Sequence, residues 1–197
     1  MDAWAESAAG WDDNLAVQRY AEAAHRSLMD VLQREGKALA ACDVLDFGCG
    51  TGLLAAKLVP GARSIVGLDS SPAMLERFRA KIDAAGWTSV RAEAGPLPEG
   101  ARFDLIVASS VLGFVPDLSA TVALLASHLH EGGLVVQWDW ESEPGATDGV
   151  SRDGVRAAYE AAGLEVRSVD IGFEVEVEGQ TMAPLMAVGR KPVGGRS

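Results

Sequence analysis

The chain has 197 residues, of which 48% are hydrophobic and 23% charged, and its formal net charge is −11. That length admits one domain with a sizeable core and is too short for two ordinary ones, and the composition excludes a disordered chain. The negative charge argues against a nucleic-acid partner, which would draw on clustered Lys and Arg, and leaves a small or neutral substrate as the expected one. The two cysteines, Cys42 and Cys49, suggest neither a disulfide framework nor metal-ligand spacing. The first residues lack the basic and apolar regions of a signal peptide and no run is long enough to span a bilayer, so a cytoplasmic protein without membrane association is expected.

The N-terminal segment carries Trp4, Trp11 and the acidic pair Asp12 and Asp13. A helical pattern follows from about Asn14 to Arg34, where Val17, Ala21, Ala24, Leu28 and Val31 form one apolar stripe. Next comes Val44-Leu45-Asp46-Phe47-Gly48-Cys49-Gly50-Thr51-Gly52, an apolar run with one acid that ends in a loop of three glycines, and then a helix start at Leu53 to Leu58. Strand, glycine turn and helix together make a cradle for a nucleotide, because glycine lets a ligand approach the backbone and the helix N-terminus favours negative charge. The dinucleotide fingerprint requires a third small residue where this chain has Leu53, which disfavours NAD. Asp46 instead suits a nucleoside that carries an amino-acid ammonium group.

Asp46-Phe47-Gly48-Cys49-Gly50-Thr51-Gly52 resembles the first motif of the class I S-adenosylmethionine-dependent methyltransferases. The resemblance covers nearly the whole chain and implies a Rossmann-like α/β fold: a doubly wound, seven-stranded, mostly parallel sheet with an antiparallel last strand and helices on both faces. It also implies one domain over residues 1–197, with an N-terminal helical cap over about 1–40 that covers the cofactor or shapes the substrate pocket. Trp11, Tyr20 and His25 are the candidate contacts from that cap, although Tyr20 and His25 also lie on or beside the apolar stripe and can simply pack.

Ser64 to Leu68 reads as the second strand, with Asp69 at its end. Asp69 follows the glycine loop by about twenty residues, the interval at which a carboxylate meets the ribose hydroxyls in nucleotide-binding βαβ units. Ser71 as N-cap and Pro72 as first residue open a helix whose apolar face includes Met74, Leu75, Phe78 and Ile82, and Gly86 ends it. Ser70 and Met74 are expected close to the nucleoside, Met74 with core packing as its alternative. A short strand near Val90 to Ala92 leads to Glu93 and Ala94, which match the family positions that contact adenine, although the family more often has Asp at the first and Glu93 can also be a solvated loop acid. Phe103 to Ala108 is the fourth strand, and the resemblance places Ser109-Ser110-Val111-Leu112, just beyond it, at the floor of the cofactor site, with Ser109 as its candidate contact. Many small-molecule members of the family carry a histidine shortly after that serine, whereas this chain has Gly113-Phe114.

Asp117 caps a helix that runs to about His130, and Glu131-Gly132-Gly133 terminates it before a fifth strand from Leu134 to Trp140. Trp138, Asp139 and Trp140 close that strand at the end where open α/β sheets bind ligands, so Trp138 and Trp140 join Trp11 and Tyr20 as candidates for the substrate wall, with core packing equally open. Glu141 to Gly149 reads as a loop and mobile lid, and Ser151 to Ala162 as a helix. Alternation of Ile171, Phe173, Val175 and Val177 with Glu174, Glu176 and Glu178 then gives a strand with one wet face, and Thr181 to Val188 its hairpin partner, broken or bulged at Pro184. Val193 to Ser197 reads as a frayed end.

The family moves the methyl group of S-adenosylmethionine to a nucleophilic O, N, C or S and releases S-adenosylhomocysteine. It relies on alignment and water exclusion, with a base only where the acceptor needs one. His25 and Asp139 are the available candidates for that base. The chain lacks the Asn/Asp-Pro-Pro-aromatic and Pro-Cys signatures of base and glutamine methylation, so a small-molecule acceptor is expected, on a monomer or homodimer. The alternatives are a catalytically inactive S-adenosylmethionine- or S-adenosylhomocysteine-binding protein or regulatory subunit and, less favoured, a nicotinamide-dependent oxidoreductase.

Overall fold

The structure is a computed structural model that describes residues 4–142 and 149–194. Val44 and Leu45, adjacent on the first strand, are both fully buried but belong to different hydrophobic clusters. Successive side chains of a strand point to opposite faces, so a strand apolar at every position must lie in a sheet covered on both sides. That sheet contains β1 (Asp43–Phe47), β2 (Ser64–Leu68), β3 (Val90–Glu93), β4 (Phe103–Ser109), β5 (Leu129–Asp139), β6 (Glu165–Ile171) and, beyond a small hairpin of β7 (Val175–Val177) and β8 (Gln180–Met182), β9 (Leu185–Arg190). Its spatial order is β3-β2-β1-β4-β5-β9-β6. β1 to β5 pair in parallel, and β9 runs antiparallel to both β5 and β6. The expected seven-stranded, mostly parallel sheet with an antiparallel last strand is therefore present.

One face is covered by α2 (Leu15–Arg34), α3 (Leu53–Leu58) and α4 (Pro72–Ala85), which pack Leu28, Leu54 and Phe78 against Val44, Val107 and Val136. The other is covered by α5 (Leu118–Ser127) and α6 (Arg152–Ala161), whose Val122, Leu125 and Tyr159 meet Leu45, Ile106 and Val135. A short α1 (Ala5–Ala8) precedes them. Each large side chain buried in this way stabilises the fold by about 1.5–3 kcal/mol. The caps follow the expected chemistry: Asn14, Ser71, Asp117 and Ser151 each accept a backbone N–H in the first turn of the following helix, and Gly86 takes the left-handed conformation that ends α4. No helix among the described residues is long and apolar enough to cross a membrane.

Three boundaries differ from the sequence reading. α5 stops at Ser127, and the Glu131-Gly132-Gly133 segment lies inside β5, where the pairing with β4 shifts register between Phe103 and Leu105. This works because Gly132 adopts a positive φ of 72°, which turns the chain without leaving the sheet. In the tail, the main-sheet strand is Glu165–Ile171 and not the alternating stretch after it; Val175–Val177 pairs instead with Gln180–Met182 in the separate hairpin. Gly172 is the physical cause, since a Cβ there would press on Met186 and Trp138, and only glycine lets the chain leave the sheet at that point. Pro184 sits between β8 and β9, the break that its missing N–H implied. Residues 143–148 of the expected lid and 195–197 of the expected frayed end lie outside the described residues.

Candidate active site

β1 and β4 are neighbours, yet the chain winds to β2 on one side and continues from β4 on the other, so a crevice opens at their carboxyl ends. A cavity of about 810 Å³ occupies it. Asp46, Phe47, Gly48, Cys49, Gly50, Asp69, Ser70, Met74 and Ser109, all candidates from the sequence, line it, and so does Leu68.

The three glycines of the loop do different work. Gly48 and Gly52 have positive φ, and a Cβ at either would overlap Val111 or Phe78 respectively, so protein packing alone demands glycine there. At Gly50 a Cβ would find only Met74 Sδ, 4.0 Å away, and the open space beyond is the cavity. Close approach of a ligand to the backbone is thus reserved for Gly50. Asp69 braces this loop: its Oδ2 accepts from the Gly50 N–H at 2.7 Å and its Oδ1 from the Ser71 N–H at 2.8 Å. Each carboxylate oxygen keeps a lone pair for a further donor from the cavity.

Asp46 lies on the cavity floor, 1% exposed, and its Oδ2 has no hydrogen-bond partner. Burial, and secondarily the Asp69 charge, push its carboxyl up to about 7, against a lowering backbone N–H of Ala55. A buried acceptor without a donor is costly, and a cationic or N–H group of a ligand supplies what is missing.

The N-terminal segment closes the cavity from above through Trp4, Trp11, Val17 and Tyr20. It is fastened by Asp12, which had no assigned role in the sequence. Thr51 Oγ1 donates to Asp12 Oδ1 at 2.6 Å, and Lys81 Nζ lies 2.7 Å from Asp12 Oδ2 while donating to the Thr51 carbonyl at 2.8 Å. Gln18 Nε2 donates to the Asp12 carbonyl at 2.6 Å. This latch joins the strap to the glycine loop and to α4. Asp12→Ala should lower stability by about 1 kcal/mol in urea unfolding, the discounted worth of a partly exposed ion pair with a charged hydrogen bond, and should speed amide exchange across residues 4–14.

The geometry places several of the sequence candidates outside the cavity wall. Thr51 is buried in the latch and Gly52 against Phe78, so neither lines the cavity. The Glu93 carboxylate turns outward to Arg91 at 3.1 Å; neither Glu93 nor Ala94 lines the cavity, whereas Gly95 does. Trp138 is fully buried core, its Nε1 donating to Ser27 Oγ at 3.0 Å and so tying α2 to β5. His25 is also absent from the wall; burial, then Lys57, lowers its pKa. Asp139 is 1% exposed and is not part of the cavity wall: its Oδ1 accepts from the Gly113 N–H at 3.0 Å and its Oδ2 from Gln137 Nε2 at 3.1 Å. It holds the 112–114 turn in place, and burial pushes its carboxyl up to about 7 against the surrounding backbone N–H groups and Gln137. Neither base candidate faces the site.

Trp11, Tyr20 and Trp140 do line the cavity. The Tyr20 hydroxyl donates to the Trp138 carbonyl at 3.3 Å, and burial raises its pKa so that the phenol stays neutral. Ser110, from the expected floor segment, lines the cavity, as do Phe114 and Met182, to which the sequence reading assigned no site role. Ser110 has a positive φ of 54°, with its N–H donating to the Trp138 carbonyl at 2.7 Å, and this turn carries Val111 over Gly48. No local sequence signal marks that left-handed conformation. Phe114 was visible only as the residue standing where relatives have histidine.

A family model described as a methyltransferase domain matches residues 20–169. The chain is similar to the trans-aconitate 2-methyltransferase of Azoarcus sp. (strain BH72), 35% identical over 128 residues, which cover 64% of this chain and 49% of that protein. It is also similar to the ribosomal protein L11 methyltransferase of Pseudomonas savastanoi pv. phaseolicola (strain 1448A / Race 6), 40% identical over 97 residues, covering 46% of this chain and 32% of the relative. The chain thus spans about half the length of the first of these curated relatives and less of the second. Among solved structures, the N-methyltransferase NodS from Bradyrhizobium japonicum WM9, in complex with S-adenosyl-L-homocysteine, superposes with a TM-score of 0.70 over 92% of this chain and 90% of that one, at 19% identity, a likeness of fold. With a family match over most of its length and this sheet topology, the chain belongs to the methyltransferase domain family, the class I S-adenosylmethionine-dependent methyltransferases.

Proposed function

We propose that the chain binds S-adenosylmethionine over the glycine loop and transfers its methyl group to a small-molecule acceptor held in the outer half of the same cavity. The observation that carries this reading is the pair of acids on the cavity floor, Asp46 with an unpartnered buried oxygen and Asp69 braced across Gly50. Asp46 would take the ammonium of the amino-acid portion and Asp69 the ribose hydroxyls, while Leu68, Ser70, Met74 and Gly95 would flank the base. Leu53, where the dinucleotide fingerprint needs a small residue, lines the cavity and opposes NAD.

S-adenosylmethionine, held by Asp46, Asp69 and the Gly50 backbone, would supply an activated methyl for displacement by the acceptor's lone pair, the sulfur keeping the electrons of the broken bond and the acceptor's proton passing to water. The protein's share is alignment and desolvation. The Trp4–Trp11 strap excludes water from above, and the Ser110 turn with Phe114 closes the side. No Lys, Arg or His stands among the described lining residues, the Tyr20 phenol stays neutral, and in this reading the Asp46 and Asp69 carboxylates are engaged by the cofactor, so no described side chain of the wall is assigned as a base for the acceptor.

The Asp46 carboxyl makes the binding reading testable through protons. Its folded-state pKa of about 7 lies above the ordinary carboxylate value, so the folded, ligand-free chain holds a proton that the unfolded chain gives up. Stability of the ligand-free protein therefore falls as pH rises from about 4 to about 7 and levels off above, with Asp139 adding to the same slope. An ammonium beside Asp46 favours its ionised form, so cofactor affinity should rise with pH up to about 7, with proton release on binding below that. Calorimetric titration with S-adenosylmethionine in two buffers of different ionisation enthalpy reads this directly. Asp46→Asn should bind without the proton release; equal release in both proteins would remove Asp46 from the ammonium site. Product formation across acceptor panels then separates an enzyme from a binding protein without turnover.

A further inference from the structure

Half of the chain's aromatic residues, Trp4, Trp11, Tyr20, Phe47, Phe114 and Trp140, line this one cavity. Trp4, Phe114 and Trp140 are 38%, 57% and 41% exposed, so three large apolar side chains left to solvent gather at a single mouth. Exposed aromatic area concentrated at a cavity rim marks a binding surface and not a packing defect. The rings are already ordered against one another: Trp4 stands edge-on to Trp11 at 6.0 Å and to Phe114 at 5.8 Å, and Tyr20 is tilted against Trp140 at 5.7 Å.

The charges in the cavity are distributed unevenly. Asp46 and Asp69 are the only charged side chains among its described lining residues, and both belong to the nucleoside half at the ends of β1 and β2. Both Asp69 oxygens already accept backbone N–H groups. Among the described lining residues, those of the outer half, Trp4 and Trp11 of the strap with Val115, Pro116, Trp140 and Met182, offer no cation to pair a carboxylate and no anion to pair an ammonium. An ion entering an apolar site without a counter-charge loses its hydration with nothing in return, and planar recognition of carboxylates draws on Arg.

We infer that the outer half takes an uncharged aromatic acceptor and rejects both carboxylated and cationic ones. In this respect the chain departs from the trans-aconitate 2-methyltransferase it resembles, since trans-aconitate carries three carboxylates. The inference rests on the proposed methyltransferase reading, because it assigns the half of the cavity which that reading leaves to the acceptor. Phe114, Trp140 and Trp11 are the specificity-determining residues.

The test is calorimetric titration of the full chain, with and without saturating S-adenosylhomocysteine. Four probes are used: 2-naphthol, 6-hydroxy-2-naphthoate, protonated 1-naphthylmethylamine and trans-aconitate. The expected result is binding of 2-naphthol, with the naphthoate and the amine weaker by about tenfold or more and trans-aconitate not bound. Phe114→Ala and Trp140→Ala, both at exposed positions, should each weaken 2-naphthol by about tenfold while leaving the affinity for S-adenosylhomocysteine unchanged. The inference is overturned if any charged probe binds as tightly as 2-naphthol, if 2-naphthol does not bind, or if neither substitution affects it. Failure of S-adenosylhomocysteine to bind overturns the cofactor reading instead, and the probes on the unloaded chain still decide the chemistry of the outer half.

Discussion

Asp69→Ala should lower the affinity for S-adenosylmethionine and S-adenosylhomocysteine by about 100-fold or more, the worth of two hydrogen bonds to a charged acceptor. The carboxylate lies at the carboxyl end of β2, faces the cavity, and accepts from Gly50 and Ser71 at 2.7 and 2.8 Å. Alanine removes both the acceptors proposed for the ribose and the brace that holds the Gly50 backbone open. The two roles are separable: the brace alone moves the melting temperature, whereas the ribose contact moves the affinity of adenosyl ligands. His25→Ala is the matched control. It lies on α2 outside the cavity wall, so calorimetry should find its affinity for both ligands unchanged. Unchanged affinity in the Asp69 variant would sink the ribose assignment.

The second large effect separates two glycines of the same loop. Gly52→Ala places a Cβ against the fully buried ring of Phe78 at a φ of 79°. The left-handed backbone costs an L-residue about 1–2 kcal/mol and overpacking a core about 1–3 more, a large part of a net stability on the order of 10 kcal/mol. Thermal unfolding should show a loss of roughly 10 °C for a domain of this size. Gly50→Ala pays only the backbone term, about 1–2 kcal/mol, because its Cβ meets nothing closer than Met74 Sδ at 4.0 Å. Its methyl group projects into the cavity, so cofactor affinity should fall sharply while the fold persists. If Gly50→Ala binds normally, the ligand does not approach the loop there; if Gly52→Ala melts as the parent does, Phe78 has room that the structure does not show.

Most of the fold was legible because it depends on local rules. An apolar strand followed by three glycines, Asn14, Ser71, Asp117 and Ser151 at helix starts, and Gly86 at a helix end are signals complete within a few residues. Asp46 and Asp69 were legible for the same reason, since a strand end and an interval of about twenty residues specify both. The tail was misread because Gly172 leaves the sheet on account of Trp138 and Met186, one of them on a distant strand, and periodicity alone does not record that pressure.

Strand alternation, capping and turn chemistry act between near neighbours, so the parallel strands β1 to β4, the glycine cradle and the two acids beside it could be read from the chain alone. Only the tertiary structure decided which aromatic residues face the ligand. Trp138 and Trp140 stand two residues apart on one strand end, yet Trp138 is core, bonded to Ser27 on α2, and Trp140 is cavity wall against Tyr20. Asp139 between them serves the 112–114 turn and not the acceptor. Asp12 becomes a latch only because the fold brings Thr51 and Lys81 to it, 39 residues away in the case of Thr51. Such partners meet through the packing of whole helices on the sheet, and no short stretch of chain encodes the meeting.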